Sequence, residues 1–170
     1  MLIGRLEGSA ASAARRDDQI DPRLLFRAIP GHSREQVIQE LSQRVAAQGV
    51  VPDSAELAAR LLDREKLGCT GLGAGIAIPH CKLGDIDRVA VAVASTAAPV
   101  DFGASDGKPV DLIFLVVSPA NGAAAHLQAL ARVSRLLRVP GVVEGLREAP
   151  SQERLLAVIR EAEAGLAVPS

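Results

Sequence analysis

The chain has no tryptophan and no tyrosine, and Phe26, Phe102 and Phe114 are its whole aromatic complement. That absence removes the stacking platforms on which single-stranded nucleic acid lies. It also argues against a carbohydrate cleft built from aromatic faces. Neither sign of charge dominates: 19 Lys and Arg stand against 20 Asp and Glu, a formal net charge of −1. No strong field therefore steers the chain towards nucleic acid or an anionic membrane. No apolar run approaches the roughly 20 residues of a membrane span. The longest, Val89–Val100 and Leu112–Val117, read as buried strands. Cysteine is scarce too. Met1–Asp18 carries Arg5, Glu7, Arg15 and Arg16 and no apolar export core, so Cys69 and Cys81 are expected as free thiols in a reducing cytoplasm.

What is present is a globular composition: 48% hydrophobic and 23% charged over 170 residues, which suits one domain with a real core. Residues 1–19 are expected as a flexible tail and residues 20–165 as the domain. Ser33-Arg34-Glu35-Gln36 has the form of a capping box and predicts a helix to about Gln48, with Val37, Leu41 and Val45 inward. Asp53 or Ser54 caps a second helix that ends near Glu65 with Leu57, Leu61 and Leu62 inward. Gly68–Gly73 reads as loop and Gly75–Ile78 as a short strand. A further strand runs from Arg88 to Thr96, ended by Pro99. Asp106-Gly107 marks a turn, and Val110–Val117 reads as a central strand buried on both faces. Helices follow from about Ala123 to Arg138 and after a Ser151 cap. This alternation predicts a layered α/β domain with a mixed sheet.

The densest signal is Thr70-Gly71-Leu72-Gly73-Ala74-Gly75-Ile76-Ala77-Ile78-Pro79-His80. Alternate glycines allow positive φ and close backbone approach. Pro79 fixes its own φ and holds Ile78 extended, which limits where His80 points. The spacing does not give G-x-G-x-x-G, because counting from Gly71 or Gly73 ends on Ile76 or Ile78, and no Walker lysine follows. Cys69, His80, Cys81 and His126 make a poor metal set: adjacent residues of an extended chain point apart, and no C-x-x-C spacing exists. Neither a metal nor a cofactor is implied.

Imidazole is the chemistry on offer. Histidine ordinarily titrates near 6.5, and a neutral imidazole is a competent nucleophile towards phosphorus. Phosphoryl transfer then asks for in-line placement and for donors around the oxygens. Backbone N–H groups of Thr70, Gly71, Gly73 and Gly75 are candidate phosphate-loop donors. Arg64, near the end of the second helix, offers a charged fork. His126 falls with Leu130, Val133 and Leu137 on one helix face and in the first helical turn, where the dipole favours neutral imidazole. Plainer readings stand beside these. His126 fits a satisfied core histidine, His80 a turn residue after proline, and Arg64 a solvated helix end. His32, between Gly31 and a helix cap, reads as a loop residue.

Arg64-Glu65-Lys66-Leu67-Gly68-Cys69 together with the glycine run through His80 resembles the signature of fructose/mannitol-type (type-2) EIIA domains of the bacterial phosphoenolpyruvate-dependent phosphotransferase system. The resemblance continues through Pro99-Val100-Asp101-Phe102, Asp106–Leu112 and Pro119 to His126–Leu130, and covers roughly Ile20 to Glu163. It implies a mixed sheet covered by helices on both faces. It implies that His80 is the phosphorylated histidine, that His126 stabilises the phosphorylated state and that Arg64 holds phosphoryl oxygens. The implied donor is an HPr-like phosphocarrier protein. Within the family the chain looks most similar to the stand-alone nitrogen-regulatory EIIA, whose implied targets include potassium transporters and sensor kinases or other nitrogen and stress regulators. Two alternatives are a sugar-transport EIIA that passes phosphate to a separate EIIB, and a binding module that is not phosphorylated. Cys69 and Cys81 stand where small residues are common in the family, and Cys81 beside His80 raises oxidation sensitivity as a question.

Overall fold

The computed structural model describes residues 20–167; the expected tail, 1–19, lies outside the described residues. Asp21 caps a single 3₁₀ turn, Pro22–Leu24, by accepting from Arg23 N–H at 2.9 Å. Strand β1 (Leu25–Ile29) follows. Helix α1 (Arg34–Ala47) is capped by Ser33, whose Oγ accepts from Gln36 N–H at 3.2 Å. The Gln36 side chain returns the bond one residue earlier than a capping box expects, accepting from His32 N–H at 2.7 Å. Helix α2 (Ser54–Lys66) is capped by Asp53, whose carboxylate accepts from Ala55 and Glu56 N–H. Asp53 is thus the cap and Ser54 the first helical residue.

Six strands make one mixed sheet in the order β1-β5-β6-β3-β2, with β4 also on β6. Strand β5 (Ala90–Val100) runs parallel to β1 and antiparallel to β6 (Val110–Pro119). Leu112 through Ser118 are all buried, as a central strand with both faces covered requires. Alternation sorts them: Ile113, Leu115 and Val117 join the cluster of α1 and α2, with Ile38, Leu41, Leu57 and Leu61. Leu112, Phe114 and Val116 join Val133, Leu136, Leu146, Leu155 and Ile159. Those come from α3 (Ala123–Leu137), α4 (Val142–Glu148) and α5 (Gln152–Ala167). Helices therefore cover both faces of the mixed sheet.

The structure departs locally from the sequence reading. Pro99 does not end β5, because the ladder slips after Ser95 and resumes at Val100 opposite Val110; proline is accommodated in that irregular stretch. Strand β1 and helix α4 have sequence patterns too short to read. Residues Gly71–Gly73, expected as loop, form β2, which pairs antiparallel with β3 (Ile76–Ala77). His80 itself opens a strand, β4 (His80–Leu83), parallel to β6.

Strands β3 and β4 are two halves of one line. Ile76↔Leu112, Ala77↔Ile113, His80↔Val116 and Cys81↔Val117 keep the same offset across the break. Pro79 has no N–H for the ladder, and Ile78 N–H turns away to Thr70 O at 3.0 Å. Pairing resumes with Val116 N–H on Pro79 O at 2.9 Å.

Phe114 is 0% exposed at the middle of this sheet. Phe114→Ala is expected to cost about 3–5 kcal/mol of stability, read by urea denaturation followed by far-UV circular dichroism, since the chain lacks the residues for intrinsic indole or phenol fluorescence. A loss below about 1 kcal/mol would contradict the central placement of β6.

Candidate active site

The unbroken register decides the direction of His80. Ile76, Ile78, His80 and Lys82 share one face of the line, passing from buried to half-buried to exposed. Ala77, Cys81 and Leu83 face the opposite cluster. Cys81 is buried there, and burial pushes its thiol up to about 12. It is a protonated core thiol that points away from His80, which answers the question of its oxidation and separates it from any shared metal site with that histidine. Among the described residues no three His, Cys, Asp or Glu side chains gather to hold a metal ion.

The His80 ring is held at both nitrogens. Nδ1 lies 2.8 Å from Ile78 O. A carbonyl only accepts, so Nδ1 carries the proton and Nε2 carries the lone pair. Arg64 Nε–H donates to that lone pair at 3.2 Å, and Arg64 Nη1–H donates to Gly68 O at 3.0 Å. Arg64 comes from the last turn of α2, on the helix layer opposite to the face His80 joins, and meets it at the edge strand.

His126 arrives from the other layer. It sits in the first turn of α3, with its N–H on Gly122 O at 2.9 Å, and Gly122 provides no side-chain cap. Its ring centroid is 5.5 Å from that of His80, tilted 50°. Its Nδ1 lies 2.7 Å from Ser118 Oγ, a fully buried hydroxyl on β6 that pairs in register with Lys82. Burial first, then the neighbouring His80 and Lys82, hold His126 below its ordinary value, so the ring is neutral near pH 7. The structure thus brings His80, His126 and Arg64 together, while His32 stays on the loop before α1.

The glycine run sits differently. Thr70 is buried and gives both its donors to Glu65. Gly71 N–H goes to Cys69 Sγ at 3.1 Å and Ala74 N–H to Asp106 Oδ2 at 2.8 Å. Gly73, Ala74 and Gly75 turn in the left-handed region to join β2 to β3. A Cβ on Gly75 would stand 2.5 Å from Arg147 Nη2 and 2.9 Å from Asp111 Oδ1. Arg147 bonds Asp111 Oδ1 at 3.0 Å and the Ala74 carbonyl, clamping this hairpin. Gly71, Gly73 and Gly75 therefore sit in a clamped hairpin with Thr70 just before it, and the N–H groups of Thr70 and Gly71 go to Glu65 and Cys69. Sequence reasoning missed Ser118 and Glu65. Ser118 carries no motif, whereas Glu65 follows Arg64 inside the signature and could have been found there.

A cavity of about 420 Å³ opens among Pro22, Leu25, Gln48, Gln152 and Leu156, and none of the three site residues lines it. No helix among the described residues is long and apolar enough to cross a membrane.

The family model described as "Phosphoenolpyruvate-dependent sugar phosphotransferase system, EIIA 2" matches residues 19–162. A nitrogen regulatory protein of Bradyrhizobium diazoefficiens is 37% identical over 142 residues, 84% of this chain and 92% of that protein. The fructose-specific EIIA component of the phosphotransferase system of Haloferax volcanii is 38% identical over 132 residues, 78% of this chain and 86% of that one. The crystal structure of nitrogen regulatory protein IIA-Ntr from Neisseria meningitidis superimposes with a TM-score of 0.76 at 29% identity, covering 85% of this chain and 99% of that one. With the geometry above, these matches place the chain: it belongs to the EIIA type-2 family of the phosphoenolpyruvate-dependent sugar phosphotransferase system.

Proposed function

We propose that His80 accepts a phosphoryl group on Nε2 from a phosphorylated HPr-like carrier of the nitrogen branch, and that the two states bind different regulatory proteins, such as potassium transporters or sensor kinases. The observation that carries this reading is the Nδ1–H bond to Ile78 O, which leaves Nε2 with its lone pair outward and Arg64 beside it. The lone pair attacks phosphorus in line. The bond from phosphorus to the donor's nitrogen breaks, and that nitrogen keeps the electron pair. His80 becomes a phosphorylated imidazolium whose Nδ1–H stays on the Ile78 carbonyl, an acceptor suited to the added positive charge.

Arg64, whose Nε–H occupies that lone pair at 3.2 Å, swings off it as the donor approaches and turns its guanidinium to the phosphoryl oxygens. For His126 to donate to the phosphoryl group from Nε2 while neutral, its Nδ1 accepts from Ser118 Oγ–H, the contact observed at 2.7 Å. Leu67 follows the end of α2, Leu72 lies on β2 and Leu127 follows His126, and all three are largely exposed. Exposed leucines close to Arg64 and next to His126 in the chain support a protein as phosphoryl donor. Phosphorylation adds nearly two negative charges to that surface, a physical basis for a change of binding partner. The fructose-specific relative supports a second reading, in which the acceptor is a separate EIIB and the chemistry at His80 is unchanged. Phosphate exchange with purified candidate carriers and EIIB proteins separates the two.

Incubation with phosphoenolpyruvate, enzyme I and the HPr-like carrier is expected to place one acid-labile phosphate on His80, seen by mass spectrometry and absent in His80→Ala. Absence of label on every histidine would overturn the phosphocarrier reading. Arg64→Ala is expected to slow acceptance by about 10²-fold, the scale of removing one preorganised charge donor. His126→Ala is expected to shorten the lifetime of the phosphorylated form, and an unchanged lifetime would make His126 a core residue only.

The pH dependence has a defined sign. Folding lowers the pKa of His126, so its neutral form contributes stability that is fully present above the unfolded value of about 6.5 and lost as pH falls through the lower folded value. Titration of its ring by NMR is expected to give a midpoint below 6.5, and phosphorylation of His80 is expected to raise that midpoint through the nearby anion. An unshifted midpoint in both states would remove His126 from the site's electrostatics.

A further inference from the structure

Glu65 is a buried charge that the proposed chemistry leaves unused. Its side chain is 0% exposed. It accepts from Thr70 twice, from Oγ1–H on Oε1 and from N–H on Oε2 at 3.3 Å. Arg34 Nη1 stands 3.7 Å from Oε2. Burying a carboxylate carries a desolvation cost that such bonds must offset, and holding one threonine is a modest return.

The bonds beyond Thr70 give the arrangement its sense. Thr70 C=O accepts from Ile78 N–H at 3.0 Å. Ile78 C=O accepts from His80 Nδ1–H at 2.8 Å. His80 Nε2 accepts from Arg64 Nε–H at 3.2 Å, and Arg64 is joined to Glu65 by a peptide bond. The circuit closes on itself. The other links between residues are hydrogen bonds: the carboxylate holds Thr70, the Thr70 carbonyl holds the N–H of the Ala77–Ile78 peptide, and the next peptide, Ile78–Pro79, presents the carbonyl that sets which ring nitrogen of His80 carries the proton.

We infer that Glu65, acting through Thr70, is a positioning residue that keeps His80 in its Nδ1–H form, with the lone pair on Nε2. The inference rests on the reading of Nε2 as the nucleophile. The tautomer of a histidine follows the hydrogen bond made by its other nitrogen. If the Ile78 carbonyl drifts, the proton is free to move to Nε2 and the lone pair there is lost. A cap that only ended α2 would leave the His80 tautomer untouched when removed, which separates the two roles.

The test uses the full-length, unphosphorylated chain labelled with nitrogen-15, with the His80 tautomer read by long-range proton–nitrogen correlation above the imidazole titration. Wild type and Thr70→Ser, which keeps the hydroxyl, are expected to show Nδ1–H. Glu65→Gln and Thr70→Val, each close in shape to the original, are expected to show a mixture with Nε2–H. Their rates of phosphoryl acceptance are expected to fall between about 10- and 100-fold, the scale of a small misplacement of a reacting group. Thermal unfolding followed by circular dichroism selects the variants that are folded, and either one suffices for the reading. A folded variant that keeps the wild-type Nδ1–H signature overturns the inference. Because the tautomer is read without phosphate, this outcome is independent of whether His80 is the acceptor.

Discussion

The hydrogen bond between His80 Nδ1–H and the Ile78 carbonyl is the constraint on which the rest of the site depends. It exists because Pro79 interrupts a strand without changing its register. Ile78 turns its N–H to Thr70 and its carbonyl to the ring. The same interruption keeps His80 on the parity of Ile76 and Ile78, so an apolar row runs out of the core and ends in an imidazole at the surface. The kept register settles the ring's direction, and the Ile78 carbonyl settles its tautomer.

Around that ring the molecule gathers groups from separate layers. Arg64 is carried by α2, whose buried side belongs to one core cluster. His126 is carried by α3, which packs on the other. Ser118 lies between them on the central strand, fully buried and bonded to His126. Burial first, and then the neighbouring His80 and Lys82, disfavour charge on His126. The glycine-rich hairpin is tied to Asp106, Asp111 and Arg147, and on this geometry it is scaffolding around the histidine.

Much of this was legible in the residues. The apolar run of β6 announced a doubly covered strand, and Ser33, Asp53 and Ser151 announced helix starts, because caps and long periodic stretches are local signals. Arg64, His80 and His126 were legible once the signature was read as a unit. What was not legible depended on partners far along the chain. Strand β1 is five residues whose pairing with β5 decides its structure. Strand β4 follows a proline that reads as a stop, and only its register with β6 reveals that the line goes on. Pro99 misled for the opposite reason, since an irregular ladder accommodates a residue that a regular one excludes. Ser118 could not be found from sequence, because a buried serine in an apolar strand acquires meaning only when a ring from another element reaches it. Thr70 pointed towards a phosphate loop by type, and its burial against Glu65 gives it an inward task.

The drawing of Arg64 and His126 from opposite helix layers has a consequence for the life of the chain. A molecule in which either layer is detached keeps His80 in its sequence but lacks half of its surroundings. The grouping of Arg64, His80 and His126 is therefore a property of the complete fold, with one member drawn from each helix layer and one from the sheet between them.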